Sequence, residues 1–324
     1  MSVFLCVLAT SPAWAEPSVP GVPPAQLDLV RRTYRVLPGQ GVAYLAATVG
    51  VVVVDTSDLK QPRYVGSLLL PNSVNDLTRV DGKLVAALGP AGIVTVDVRD
   101  PRKPKKVGAI KLAGAAMGVT GHGKHVLVAS GTAGLQLVDL SDPTRPRKVA
   151  HRDTPGYARA VRVQGTMVYL ADGPRGVQLM RIDGTRLVPL GALPTRGHVY
   201  ELDVVDKTLV AAEGHVGVSR YDLTRPDRPR LTGRLSVRDA ARGVDLTAEG
   251  RAAVSDGTKG LIIVDTSGKT LREISRYAPE RSVNSAALLP GTVLVANDYD
   301  GLLVLNVDGT GKMSRVSSLP APGK

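Results

Sequence analysis

The chain has 324 residues, a formal net charge of +12 and one each of Cys, Trp and Phe. These three are Cys6, Trp14 and Phe4, so the chain beyond residue 15 can form no disulfide, thiolate metal site or thiol nucleophile. Nine Tyr are then its only large aromatics, which excludes the Trp and Phe platforms that stack sugars or anchor most protein hot spots.

At the N-terminus, Val3 to Ala9 is an apolar run followed by Pro12-Ala13-Trp14-Ala15. An apolar core with an Ala-x-Ala step predicts a signal peptide over residues 1–15 and a mature chain starting at Glu16, although no Lys or Arg precedes the run. Leu5 stands where lipid attachment at Cys6 would want a small residue. The expected product is therefore a free periplasmic, extracellular or surface-associated protein. Residues 16–31, with Pro17, Pro20, Pro23 and Pro24, read as an extended leader. No later segment approaches the roughly 18 uninterrupted apolar residues of a membrane-spanning helix.

From residue 32 the chain repeats itself. Gly50-Val-Val-Val-Val-Asp55, Gly92-Ile-Val-Thr-Val-Asp97, Gly134-Leu-Gln-Leu-Val-Asp139 and Gly260-Leu-Ile-Ile-Val-Asp265 share one pattern, with weaker copies opening at Gly176, Gly217 and Gly301. The seven glycines are spaced by 42, 42, 42, 41, 43 and 41 residues. Each unit divides into four short β-rich runs, in the fourth unit 158–163, 167–171, 177–182 and 186–193. Four strands at this period predict an all-β, seven-bladed β-propeller over residues 32–319, with four antiparallel strands per blade and a tail at 320–324. Its first strand is expected at 32–37 and its last at 313–319. Every blade is then contiguous in sequence, and closure needs no exchanged strand unless residues 27–30 add one.

The runs Leu261-Ile-Ile-Val-Asp265 and Leu135-Gln-Leu-Val-Asp139, the latter followed by Ser141-Asp142-Pro143 and Pro146, resemble the LVIVD repeat. That resemblance implies a propeller, usually of exported prokaryotic proteins, and no single activity. Arg181 and Asn306 replace the final acid in units four and seven, and unit six lacks the Asp-Pro step after Asp265. The Trp-Asp and Gly-His marks of the WD repeat are absent.

The acid closing the third strand (Asp55, Asp97, Asp139, Asp222, Asp265) is expected to fix the following turn by accepting backbone N–H groups. The axial channel, where the first strands converge, is the candidate pocket, the opposing reading of its varied lining being drift among degenerate repeats. Aligning those strands brings Tyr34, Asn75, Met117, Arg159, Tyr200, Arg242 and Asn284 to one level, with Asp76 and Glu201 beside them. His122, His125, His151, His198 and His215 are scattered among turns and outer segments without metal-ligand spacing. No metal, cofactor or catalytic residue is assigned, and a non-catalytic scaffold is preferred. A hydrolase or lyase sited in the channel is the alternative, with Asp76 and Glu201 as its acid–base pair.

Charge gives the second candidate surface. The turns from third to fourth strand must all emerge on one face, and with the start of the fourth strand they hold twenty Lys and Arg, Arg276 among them, against seven acids. The rim at Arg102, Lys103, Lys105, Lys106, Arg145, Arg147, Lys148, Arg225, Arg228 and Arg230 is the candidate docking edge for an anionic lipid surface, acidic polysaccharide or acidic protein. The opposing reading is a charged edge that prevents aggregation. Nucleic acid is disfavoured by export, and a monomer is expected.

Overall fold

A computed structural model describes residues 32–48, 50–299 and 301–319; the signal-peptide, leader and tail assignments, and the extra strand at 27–30, lie outside them. The described residues form seven four-stranded antiparallel sheets, each contiguous in sequence, and no helix. The innermost strands are Thr33–Pro38, Asp76–Val80, Gly118–His122, Ala160–Gln164, Glu201–Val205, Ala241–Leu246 and Ser285–Leu289. The last strand is Met313–Leu319, as expected, and the first begins one residue later than expected.

Each blade buries both faces of its middle strands. In blade two, Leu84 and Ala86 pack toward blade one while Val85 and Ala87 pack toward blade three. The strand therefore reads as a continuous apolar run rather than an alternating one. Valine dominates because its branched side chain fills a pleated surface with little rotamer freedom to lose. Seven apolar clusters result, one between each pair of neighbouring blades, including one that joins Val36 and Leu45 of blade one to Leu294 and Val304 of blade seven.

Closure at the seam between blades seven and one is made by contacts. The Thr33 N–H donates to the Asp298 carbonyl at 3.0 Å, and Arg32 pairs with the Asp298 carboxylate at 2.8 Å. The same bridge elsewhere uses a glycine, at Gly89, Gly131, Gly173, Gly214 and Gly257. Asp298 takes the left-handed conformation of those glycines, with φ 44°.

Every outermost strand carries a bulge at the same place. Opposite residues 53/54, 95/96, 137/138, 179/180, 220/221, 263/264 and 304/305 the register slips. The extra residues include Val149, Leu190 and Val316, all exposed.

Candidate functional site

The antiparallel ladder decides which features share a face. In blade two, Asp76 pairs with Ala87 and Ile93 with Ile110 at one end, while Asp97 pairs with Lys105 at the other. The starts of the innermost strands therefore open on one face of the ring, and the turns from third to fourth strand lie on the opposite face.

All nine channel candidates surround one cavity of about 260 Å³, together with Arg35 and Ala160. Tyr34 and Arg242 lie within their innermost strands. Asn75, Met117, Arg159, Tyr200 and Asn284 sit one residue before theirs, and each extends the ladder by a backbone bond, such as Met117 N–H to the Ala129 carbonyl at 2.8 Å. The two asparagines clasp neighbouring blades: Asn75 donates to the Ala116 carbonyl at 2.9 Å and Asn284 to the Thr33 carbonyl at 2.8 Å.

Beneath them is a floor that the sequence did not reveal. Arg35 of blade one reaches Asp76 of blade two (3.2 Å) and Glu201 of blade five (2.6 Å). Arg162 of blade four meets the other oxygen of Glu201 at 2.6 Å and Asp203 at 3.2 Å. Burial works against the Arg35 charge, but the Glu201 and Asp76 carboxylates outweigh it and hold its pKa above the ordinary arginine value. Glu201 is thus committed to two guanidiniums, and Asp76 also accepts the Leu77 and Val119 N–H groups, both at 2.9 Å. The oxygens of both acids are thus engaged, those of Glu201 by two guanidiniums and those of Asp76 by Arg35 and two backbone N–H groups.

Below this floor lies Asp245. Burial, then the Asp203 carboxylate, push it up to about 6, against the Leu288 N–H that donates to it at 2.6 Å. Asp76, Asp203 and Asp245 each accept an N–H from the innermost strand of the next blade, at Val119, Leu246 and Leu288. No group of three or more His, Cys, Asp or Glu among the described residues is arranged to hold a metal ion, and none of the five histidines lines the cavity.

Three further buried acids hold up the loops around the cavity mouth. Asp172 accepts Gly156 N–H and the Thr154 hydroxyl, Glu213 accepts the N–H of Arg196 and Gly197, and Asp256 accepts those of Arg238 and Asp239. Each precedes the glycine of its interblade bridge, a recurrence the sequence offered. Asp256 also holds Arg276 at 2.7 Å. Arg276 therefore does not belong to the basic rim: it sits on the other face with its side chain only 11% exposed.

On the rim face the third-strand acids act as expected. Asp55, Asp97, Asp139, Asp222 and Asp265 each accept the N–H two residues on, at 2.8–3.1 Å. The turns also press on the preceding blade. The Pro143 carbonyl accepts from the Thr95 hydroxyl at 2.6 Å, and a Cβ on Gly108 would stand 2.2 Å from that carbonyl. The ten rim residues are all exposed. Arg147, Arg228 and Arg230 have acids 3.9 Å away, and the other seven have no ion-pair partner among the described residues.

Among the described residues no helix is long and apolar enough to cross a membrane. The LVIVD repeat family matches residues 113–154. No curated protein sequence matches the chain. Among solved structures it is similar to the computationally designed Ika8 protein, with a TM-score of 0.67 at 10% identity over 90% of this chain and 88% of that one. Sqt1 of Saccharomyces cerevisiae is similar with a TM-score of 0.65 at 10% identity, covering 90% and 86%. U3-55K gives 0.61 at 14% identity, covering 76% and 81%. At such identities the likeness concerns the fold alone. With its seven contiguous sheets the chain is a seven-bladed β-propeller, and its third blade falls within the segment that matches the LVIVD repeat.

Proposed function

We propose that this protein is an exported, non-catalytic binding scaffold whose basic rim docks an anionic partner: a lipid surface, an acidic polysaccharide or an acidic protein. The observation that carries the reading is the run Arg102, Lys103, Lys105 and Lys106, four exposed cations in and just after one turn, with no acid paired to any of them among the described residues. Such a cluster attracts anions over a Debye length and loses that attraction in salt. The turns are pinned to the preceding blade, so little ordering has to accompany docking.

The test is retention on anionic vesicles and on a polyanion column, comparing the natural chain with a variant in which all four residues are Glu. Retention is expected to weaken steeply from about 10 to about 150 mM salt, as the Debye length falls from about 30 to about 8 Å. The variant should elute early at low salt. Equal elution of the two proteins would end the reading.

A channel hydrolase or lyase is the second reading, and the raised carboxyl of Asp245 is what favours it. Asp245 lies below the floor and does not line the cavity, which ranks this reading lower. Turnover of an ester or glycoside panel that disappears in Asp245→Asn would restore it.

A further inference from the structure

On the face opposite the rim, the geometry points to a second, independent site: the channel cavity takes a small organic monoanion, a carboxylate on a flat body of on the order of ten non-hydrogen atoms. Size comes first. At about 260 Å³ the cavity has room for about nine waters' worth of liquid volume. The ion-paired Arg35, Asp76 and Glu201 form part of its lining.

Charge comes second. Arg159 and Arg242 line the cavity with no ion-pair partner among the described residues, whereas Arg35 is consumed by Asp76 and Glu201. Three cations against two acids leave the lining at a net charge of +1. That formal excess complements one negative charge. A guanidinium presents paired donors that match the two oxygens of a carboxylate.

The strongest observation is how Arg159 is held. Its guanidinium lies between two rings, 5.2 Å from the centre of Tyr157 and 4.8 Å from that of Tyr200. Both rings rest against bridge glycines. A Cβ on Gly131 would stand 3.0 Å from the Tyr157 ring, and one on Gly214 2.9 Å from that of Tyr200. The Arg159 Nε–H is buried and has no acceptor, which is unfavourable for a donor withdrawn from water. A stacked, preorganised and under-satisfied guanidinium beside a cavity is what anion recognition needs. Tyr34, Tyr200 and Met117 supply apolar surface for the ligand's body.

The experiment is calorimetric titration of the whole chain with benzoate, benzamide and phenyl phosphate as probes, at about 150 mM salt. Benzoate is expected to saturate one site, benzamide to bind at least tenfold more weakly, and phenyl phosphate no more tightly than benzoate. Arg159→Gln and Arg242→Gln should each weaken benzoate at least tenfold. The four-Glu rim variant should bind benzoate as the natural chain does, which separates this site from the rim. Arg242 is exposed and unpaired, so its variant reads the site even if Arg159→Gln fails to fold. Absence of saturable benzoate binding, equal binding of benzamide, or tighter binding of phenyl phosphate would overturn the assignment, as would indifference to the Arg242 substitution.

Discussion

The Arg35 guanidinium of blade one and the Glu201 carboxylate of blade five meet 2.6 Å apart across the propeller axis. They come from strands separated by 166 residues and by more than a third of the ring, so the contact ties distant blades together as a strut. Its two ends are not equivalent. Glu201 also serves Arg162, whereas Arg35 also serves Asp76.

That inequality gives an ordering. Glu201→Gln leaves two buried guanidiniums facing each other with their shared carboxylate gone, and we expect a loss of about 3–5 kcal/mol. Arg35→Gln leaves Glu201 paired with Arg162 and Asp76 with two backbone donors, and should cost less. Urea unfolding of both variants at pH 7 checks the order; equal losses would show that the strut carries no particular share of stability.

Asp245 provides a dependence on pH. Its carboxyl is pushed up to about 6, so the fold binds its proton more tightly than the unfolded chain does. The contribution is favourable to folding at low pH and is lost as pH rises from about 4 through 6, amounting to about 3 kcal/mol. Asp245→Asn keeps an oxygen for the Leu288 N–H and removes the charge. Relative to the natural chain it should be stabilised above pH 7 and lose that advantage near pH 4, measured by chemical denaturation at both values.

The turn glycine under Tyr200 should resist substitution. Gly214 has φ 63°, and an added Cβ would meet the ring at 2.9 Å. Gly214→Ala combines a left-handed penalty with displacement of the ring and is expected to cost about 1–3 kcal/mol. Gly165, with φ 58° but open space around its Cβ position, should show the backbone penalty alone. Thermal melts of the two Ala variants separate the terms.

At the seam, Asp298 can be split in the same manner. Asp298→Gly relieves the left-handed backbone and loses the half-exposed pair with Arg32, worth at most about 1 kcal/mol. Asp298→Ala loses the same pair and keeps the strain, so it should be the less stable variant by about 1 kcal/mol. A reversed order in thermal melts would mean the backbone there is unstrained.

The architecture was legible because each third strand opens on a glycine, and five of the seven close on an acid, at a nearly constant period. Seven of the cavity positions followed from aligning one strand with the next, and Asp76 and Glu201 from lying beside them. Arg35, Arg162, Asp203 and Asp245 did not, because they occupy different levels of their strands and meet only once the ring brings them across the axis. The charge on Arg276 was misplaced for a related reason: its position in a strand was readable, while its partner Asp256 lay a turn and two strands away. Asp172, Glu213 and Asp256 repeat in sequence but look like ordinary polar turn residues until their burial is seen.

The bulge that recurs in every outermost strand has a consequence for crowding. An unbroken row of N–H and C=O groups on each blade would offer seven surfaces on which neighbouring molecules could add strands and grow into ribbons. One extra residue per edge throws the donors and acceptors out of step halfway along. At high concentration the rings can collide edge to edge without stitching together.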